Sequence, residues 1–186
     1  MRTVGGHVDG DSRQVHFSPN LDWEAVPLGH LLVEATGIEA VNAENDATSL
    51  AVAEQLFGDG GGRGSFAVVK VRSGVGGPSL DTTEALADLA AEGDHAALAA
   101  IERAGEALGR GLSMLVNLLN LELVVLYAEE PLLNTPIYLQ AVQDSLAAHA
   151  FSSAASDCRM IPKVLTDVEE ARAAASMAFQ RFYPST

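Results

Sequence analysis

The sequence predicts an α/β fold. Strand-like and helix-like segments alternate through its second half. A long leucine stripe marks one extended helix, and a continuous apolar run of strand length follows it. Strand, helix, strand and helix in succession imply a βαβ-type layer with right-handed crossovers. The 186 residues suit one domain, or one large lobe with an appendage, and no internal repeat is visible.

Residues 1–26 are rich in Gly and Asp and read as loop, with room for one strand at Val15-His16-Phe17. Pro27 opens a first helix, because proline fits the first helical position. Leu28, Leu31, Leu32 and Ala35 give that helix an apolar face, and Gly37 ends it. A second helix follows Asp46, with Leu50, Ala53, Leu56 and Phe57 at helical spacing and Gly58 as its stop. After the glycine-rich turn 58–64, residues 65–71 (SFAVVKV) read as a strand. Asp81 and Glu84 form a capping-box pattern for a helix ending at Gly93.

Asp94 caps the longest helix. Leu98, Ile101, Gly105, Leu108, Leu112, Leu115 and Leu119 recur at alternating steps of three and four along it. Gly105, Gly109 and Gly111 favour close packing on a sheet or another helix; a dimer seam is the second reading of the stripe. Residues 121–127 read as a buried strand. A helix over 136–149, a strand over 159–165 and a helix from Thr166 to about Phe182, opened by a Thr166–Glu169 capping box, complete the chain.

Hydrophobic residues make up 48% of the chain and charged residues 19%, which supports a sizeable core and excludes a disordered chain. The formal net charge of -14 repels nucleic acid, and no basic stripe or helix-turn-helix pattern is present. Direct nucleic-acid contact from this chain is therefore not expected. No signal-type or membrane-spanning apolar stretch is found, and the single cysteine, Cys158, fits a reducing cytoplasm. Cys158 stands beside Arg159 and is expected to be inert.

Three segments carry a resemblance to a known family. They are Phe17-Ser18-Pro19-Asn20-Leu21-Asp22-Trp23 with Val26-Pro27-Leu28-Gly29, then Glu44-Asn45-Asp46-Ala47, then Ser73-Gly74-Val75-Gly76-Gly77. They are similar to the "SPNLGW…PL", "ENDAN" and "GTGVGGG" stretches of the ROK family (repressors, open reading frames, kinases). The helix end Leu115-Val116-Asn117-Leu118-Leu119-Asn120 before the buried strand also matches. Order and spacing make the match specific, and nearly the whole chain lies along the family's later two-thirds.

The resemblance implies an actin-like (ribonuclease H-like) ATPase lobe, with a mixed sheet flanked by helices. Nothing like the family's "DxGGT" loop precedes His7, so the N-terminal lobe is expected to be largely absent. The expected division is 1–64 as a remnant of the sugar-binding region and 65–186 as the C-terminal ROK-like lobe.

Asp46 matches the family's general base, which takes the proton from a sugar hydroxyl during phosphoryl transfer. Asn45 matches a sugar-hydroxyl ligand, since an amide both donates and accepts. Glu44 is either a further polar anchor or a strand-end charge in water. Asp46 also has a purely structural reading as the N-cap of its helix, and the two roles can coexist. Ser73, Gly74, Gly76 and Gly77 match the phosphate loop.

Several positions depart from the family. Arg72 replaces the first glycine of the phosphate loop, where a side chain hinders close backbone approach. Pro78 and Ser79 lead straight into a helix, so the "GExGH…CxCGxxGCLE" segment has no counterpart. Structural zinc needs about four ligands, and His7, His16, His30, His95 and His149 show no clustered spacing, so no metal is expected. Val124-Val125-Leu126 is followed by Tyr127-Ala128-Glu129-Glu130 instead of the family's paired glycines, and acidic groups there would repel phosphates. The last helix carries Glu170-Ala171-Arg172-Ala173 instead of the family's "GAxGAA" start.

The resulting expectation is a sugar-sensing or regulatory chain without an intact kinase site, serving as a ligand-binding or oligomerisation part of a regulator. It would be cytoplasmic and self-associating, with a monosaccharide as possible ligand and no cofactor. The alternative is a glucose-type sugar kinase, for which ATP and Mg2+ would be required.

Overall fold

Fourteen elements follow one another in the computed structural model, which describes residues 4–19, 21–72 and 83–182. They are β1 (His7–Asp9), β2 (Gln14–Ser18), β3 (Trp23–Val26), α1 (Leu28–Thr36), α2 (Asp46–Phe57), β4 (Phe66–Lys70), α3 (Thr83–Ala91), α4 (His95–Leu119), β5 (Leu123–Ala128), α5 (Glu130–Leu133), α6 (Pro136–His149), α7 (Ala154–Asp157), β6 (Arg159–Val164) and α8 (Asp167–Phe182). Two compact units result. One comprises residues 1–62 with 166–186, the other residues 63–165. The division expected at 64/65 therefore falls two residues earlier, and the last helix is grouped with the first residues of the chain.

In the first unit, β1, β2 and β3 form an antiparallel sheet in that order. These strands correct the expectation of loop with at most one strand over residues 1–26. They are short, and two features hide their alternation. A register shift between His7 and Val8 breaks the β1–β2 pairing, and Ala25 within β3 has φ 51°. The β1–β2 turn is closed by Asp9, whose carboxylate accepts from the backbone of Asp11 and the hydroxyl of Ser12 at 3.0 and 2.7 Å. Those bonds, led by the Ser12 hydroxyl, hold the Asp9 carboxyl below its usual pKa. Helix α1 ends where expected, on Gly37 in the left-handed conformation. Helices α2 and α8 pack together, with the Phe57 and Phe179 rings edge to face at 5.3 Å. Thr166 accepts the Glu169 amide through its hydroxyl, so half of the expected capping box forms.

The second unit is built on a parallel sheet, β4-β5-β6. All six residues of the central strand β5 are buried, as its unbroken apolar sequence requires. Strand β6 lies at the edge and carries Pro162 opposite Leu126. Helices α4 and α6, the crossovers on either side of β5, run side by side in the same direction. Asp94 caps α4 by accepting the Ala97 amide at 2.8 Å, and Asn120 in the left-handed conformation ends it. Cys158 is buried, and burial raises its thiol pKa, which keeps it a poor nucleophile. Asp81 of the other expected capping box lies outside the described residues.

The leucine stripe of α4 is core only over its first part. Ile101, Gly105 and Leu112 are buried, but Leu115 and Leu119 are 38% and 53% exposed. The buried face passes instead to Gly109, Ser113 and Val116. Steps of three and four average 3.5 residues, whereas the α-helix turns every 3.6, so such a stripe drifts about 20° per heptad off a straight face.

Gly105 and Gly109 meet α6 most closely. A Cβ built on Gly105 would lie 2.6 Å from the Tyr138 carbonyl, and one on Gly109 2.3 Å from the Val142 carbonyl. Both obstacles are backbone, so a side chain there must push the helices apart. The Ser145 hydroxyl seals this seam by donating to the Glu106 carbonyl at 2.8 Å. Around Gly111, by contrast, a Cβ would meet nothing within 4 Å. Gly109→Ala is therefore expected to destabilise the chain by about 1–3 kcal/mol through overpacking, while Gly111→Ala gains up to about 1 kcal/mol of helix propensity. Urea midpoints of the two variants, moving in opposite directions, check this.

Candidate functional site

The residues matched to a sugar site come together at the start of α2. Residue 45 forms an isolated parallel bridge with Val4, and the Asp46 amide donates to the Val4 carbonyl at 3.2 Å. The chain then turns into the helix. Asn45, not Asp46, is the N-cap. Its Oδ1 accepts the amides of Ala47 and Thr48 at 2.8 and 3.1 Å. Asn45 has the extended backbone that a cap requires, while Asp46 already belongs to the helix; this places the structural role foreseen for Asp46 one residue earlier.

The other end of the Asn45 amide is also engaged. Its Nδ2 donates to the Gly6 carbonyl, just before β1, at 2.6 Å. Oδ1 thus holds two helix amides and Nδ2 holds the strand, which leaves the amide one N–H for a ligand hydroxyl. Asp46 occupies the first turn, where the positive end of the helix dipole favours a carboxylate. Its Oδ1 also accepts the Ala47 amide, at 2.9 Å. The carboxylate is half-buried, which is compatible with orienting a hydroxyl by hydrogen bonding.

Glu44 turns back on the backbone and accepts the Asn45 amide at 2.9 Å. Its other oxygen sits against Gly10, where a Cβ would lie 3.0 Å away. Two further residues support the arrangement and were not singled out by sequence. Gly6 passes beneath β2 with φ +149°, and a Cβ there would meet the Phe17 carbonyl at 2.3 Å. Ser18, fully buried, donates to the Gly5 carbonyl at 2.5 Å. The glycines at 5, 6 and 10 were the available signal, but without β1 and β2 in hand they read as loop.

Ser73, Gly74, Gly76 and Gly77 of the expected phosphate loop lie outside the described residues. In the second unit, Glu129 follows β5 and accepts a hydrogen bond from the Thr83 hydroxyl at the start of α3. Among the described residues, no group of three or more His, Cys, Asp or Glu is placed to hold a metal ion, and no helix is long and apolar enough to cross a membrane.

Part of the chain also resembles known proteins. The ROK family description matches residues 3–80, a stretch that contains β1, β2, β3 and the Glu44–Asn45–Asp46 turn. Over residues 3–80 the chain is similar to the ROK family. Glucokinases from Streptomyces coelicolor and Streptomyces lividans are each 35% identical to it over 74 residues, which is 40% of this chain and 23% of theirs. The ROK match is thus to about a quarter of those glucokinases' length.

Solved ROK structures extend the likeness in fold to most of the chain. A ROK family transcriptional regulator, homolog of the E. coli MLC protein, superimposes with a TM-score of 0.74 at 17% identity, over 94% of this chain and 60% of that one. A ROK family glucokinase from Streptomyces griseus, solved with glucose and AMPPNP, gives 0.73 at 17% identity, over 97% and 82%. A ROK hexokinase from Thermus thermophilus gives 0.66 at 21% identity, over 97% and 78%. The α/β fold is accordingly that of the ROK actin-like proteins, which include both regulators and kinases.

Because the Asn45 amide joins helix to strand, Asn45→Ala is expected to lower stability by about 1–3 kcal/mol. Asn45→Asp keeps the cap acceptor but turns the Gly6 donor into an acceptor, so it should also destabilise, though less than Asn45→Ala. Urea unfolding followed by circular dichroism gives the ranking.

Proposed function

We propose that this chain is a sugar-recognising ROK unit that binds a monosaccharide without phosphorylating it. The observation carrying this reading is the Asn45–Asp46 pair, fixed by the Gly6 carbonyl so that an amide N–H and a carboxylate stand side by side at a helix start. That is the donor and acceptor combination a vicinal pair of sugar hydroxyls needs. The family match spans these residues, and the Streptomyces griseus relative holds glucose.

Catalysis asks for more. A phosphoryl transfer needs the donor's phosphates cradled and their charge neutralised. At the positions matched to phosphate contacts, this sequence places Arg72 for a glycine and Tyr127-Ala128 for a glycine pair, with Glu129 and Glu130 directly after them. Carboxylates beside a nucleotide raise the electrostatic cost of its binding. The chain then acts in the cytoplasm as the ligand-binding or self-associating part of a regulator, and its net charge of -14 argues against its touching DNA itself.

A second reading follows from the glucokinase match. In it Asp46 would take the proton of a hexose hydroxyl as that oxygen attacks the γ-phosphorus of ATP and ADP leaves; Mg2+ would supply the charge neutralisation that the transfer needs.

One pair of measurements separates the two. Calorimetric titration with glucose, N-acetylhexosamines and xylose should show saturable binding to one of them, lost in Asp46→Asn. A coupled ADP-release assay with that sugar should give no rate above the Asp46→Asn background. Turnover well above that background establishes the kinase, and absence of binding by any sugar removes both readings.

A further inference from the structure

The β1–β2 hairpin carries a feature independent of the sugar reading. Residue pairing runs His7 to Phe17 and then Val8 to Val15, so His16 is an extra residue on β2. Such a bulge re-aims a side chain that regular alternation would send to the other face. The burial pattern of β2 records it: Val15 and Ser18 are buried, while His16 and Phe17, adjacent in sequence, are both exposed. His7 is exposed on the neighbouring strand. The two imidazole rings stand 4.9 Å apart between centres, inclined at 41°.

That separation has a chemical meaning. A zinc-class ion lies about 2.0–2.1 Å from an imidazole nitrogen and hence about 3 Å from the ring centre. Two histidines on one tetrahedral ion therefore have ring centres roughly 5 Å apart. Edge or stacked packing also brings rings this close, but packed rings are usually covered, and these two stand in water. Asp9 lies in the same hairpin, and His16 adds to the electrostatic lowering of its carboxyl pKa. Both Asp9 oxygens are engaged in the turn, so Asp9 contributes negative charge nearby and not a ligand.

We propose that His7 and His16 form a two-histidine site for a borderline divalent transition ion of the zinc class, with water in the remaining positions. Imidazole suits zinc, nickel and copper and discriminates against magnesium and calcium. The nine-residue interval between the two histidines gives no motif in sequence; the bulge is what brings them together. A bound ion would fasten β1 to β2 immediately beyond the Gly6 carbonyl that Asn45 holds.

The test uses the full chain, freed of metal by chelation and titrated with ZnCl2 in a calorimeter. Wild type should bind about one equivalent. His7→Asn and His16→Asn should each weaken binding roughly tenfold or more, and His16→Phe, which keeps an aromatic contact, should do the same. His30→Asn should bind as wild type, and MgCl2 should not compete. With CuCl2, affinity should rise above that for zinc, and the copper resonance spectrum should show two nitrogen ligands that fall to one in either variant. All three positions are exposed, and circular dichroism verifies that each variant folds. Absence of saturable zinc binding by wild type, or retention of wild-type affinity by His7→Asn and His16→Asn, overturns the site.

Discussion

One side-chain amide ties the first unit together. Asn45 accepts two amides of α2 through its oxygen and donates to the Gly6 carbonyl through its nitrogen. A helix start and a strand start are thereby fixed to each other by opposite ends of one planar group. Position and chemistry follow from this. Asp46 can sit in the first helical turn only because the preceding residue caps the helix, and Glu44 can fold back on the Asn45 amide only because that residue is held extended. Neither Asp nor Ser would serve in both directions, since each lacks the amide's fixed donor and acceptor pair.

The second unit depends on a different constraint, the closeness of two backbones. Gly105 and Gly109 lie one helical turn apart and face Ala141 and Ser145, also one turn apart. Small residues on both sides allow α4 and α6 to approach until a methyl group would not fit. The two crossovers then share one side of the parallel sheet, and Val124, Leu132, Val142 and Leu146 fill the core beneath them.

Much of this fold was legible in the sequence where local signals act alone. Gly37, Asp94 and Pro136 mark helix ends through backbone geometry that needs no distant partner, and the structure places ends there. The strands β1–β3 were not legible, because a bulge at His16 and the positive φ of Ala25 erase alternation over segments of three to five residues. The α4 stripe was legible as a helix but not as a face, because a 3.5-residue repeat slides around a 3.6-residue helix. The site itself was visible as a motif only. That Asn45, and not Asp46, caps α2 depends on Gly6, thirty-nine positions away in the chain, and no local pattern carries such a pairing.

Strand β6 offers a last consequence. The amides of Arg159 and Leu165 point inward to β5, donating to Glu122 and Ala128, so odd-numbered residues of this stretch pair with the sheet and even-numbered ones face outward. Pro162 is even-numbered and has no amide hydrogen, so the outer rim is short of a donor at its middle. A foreign strand seeking to extend the sheet there meets a gap in the ladder, which discourages amyloid-like growth from this edge.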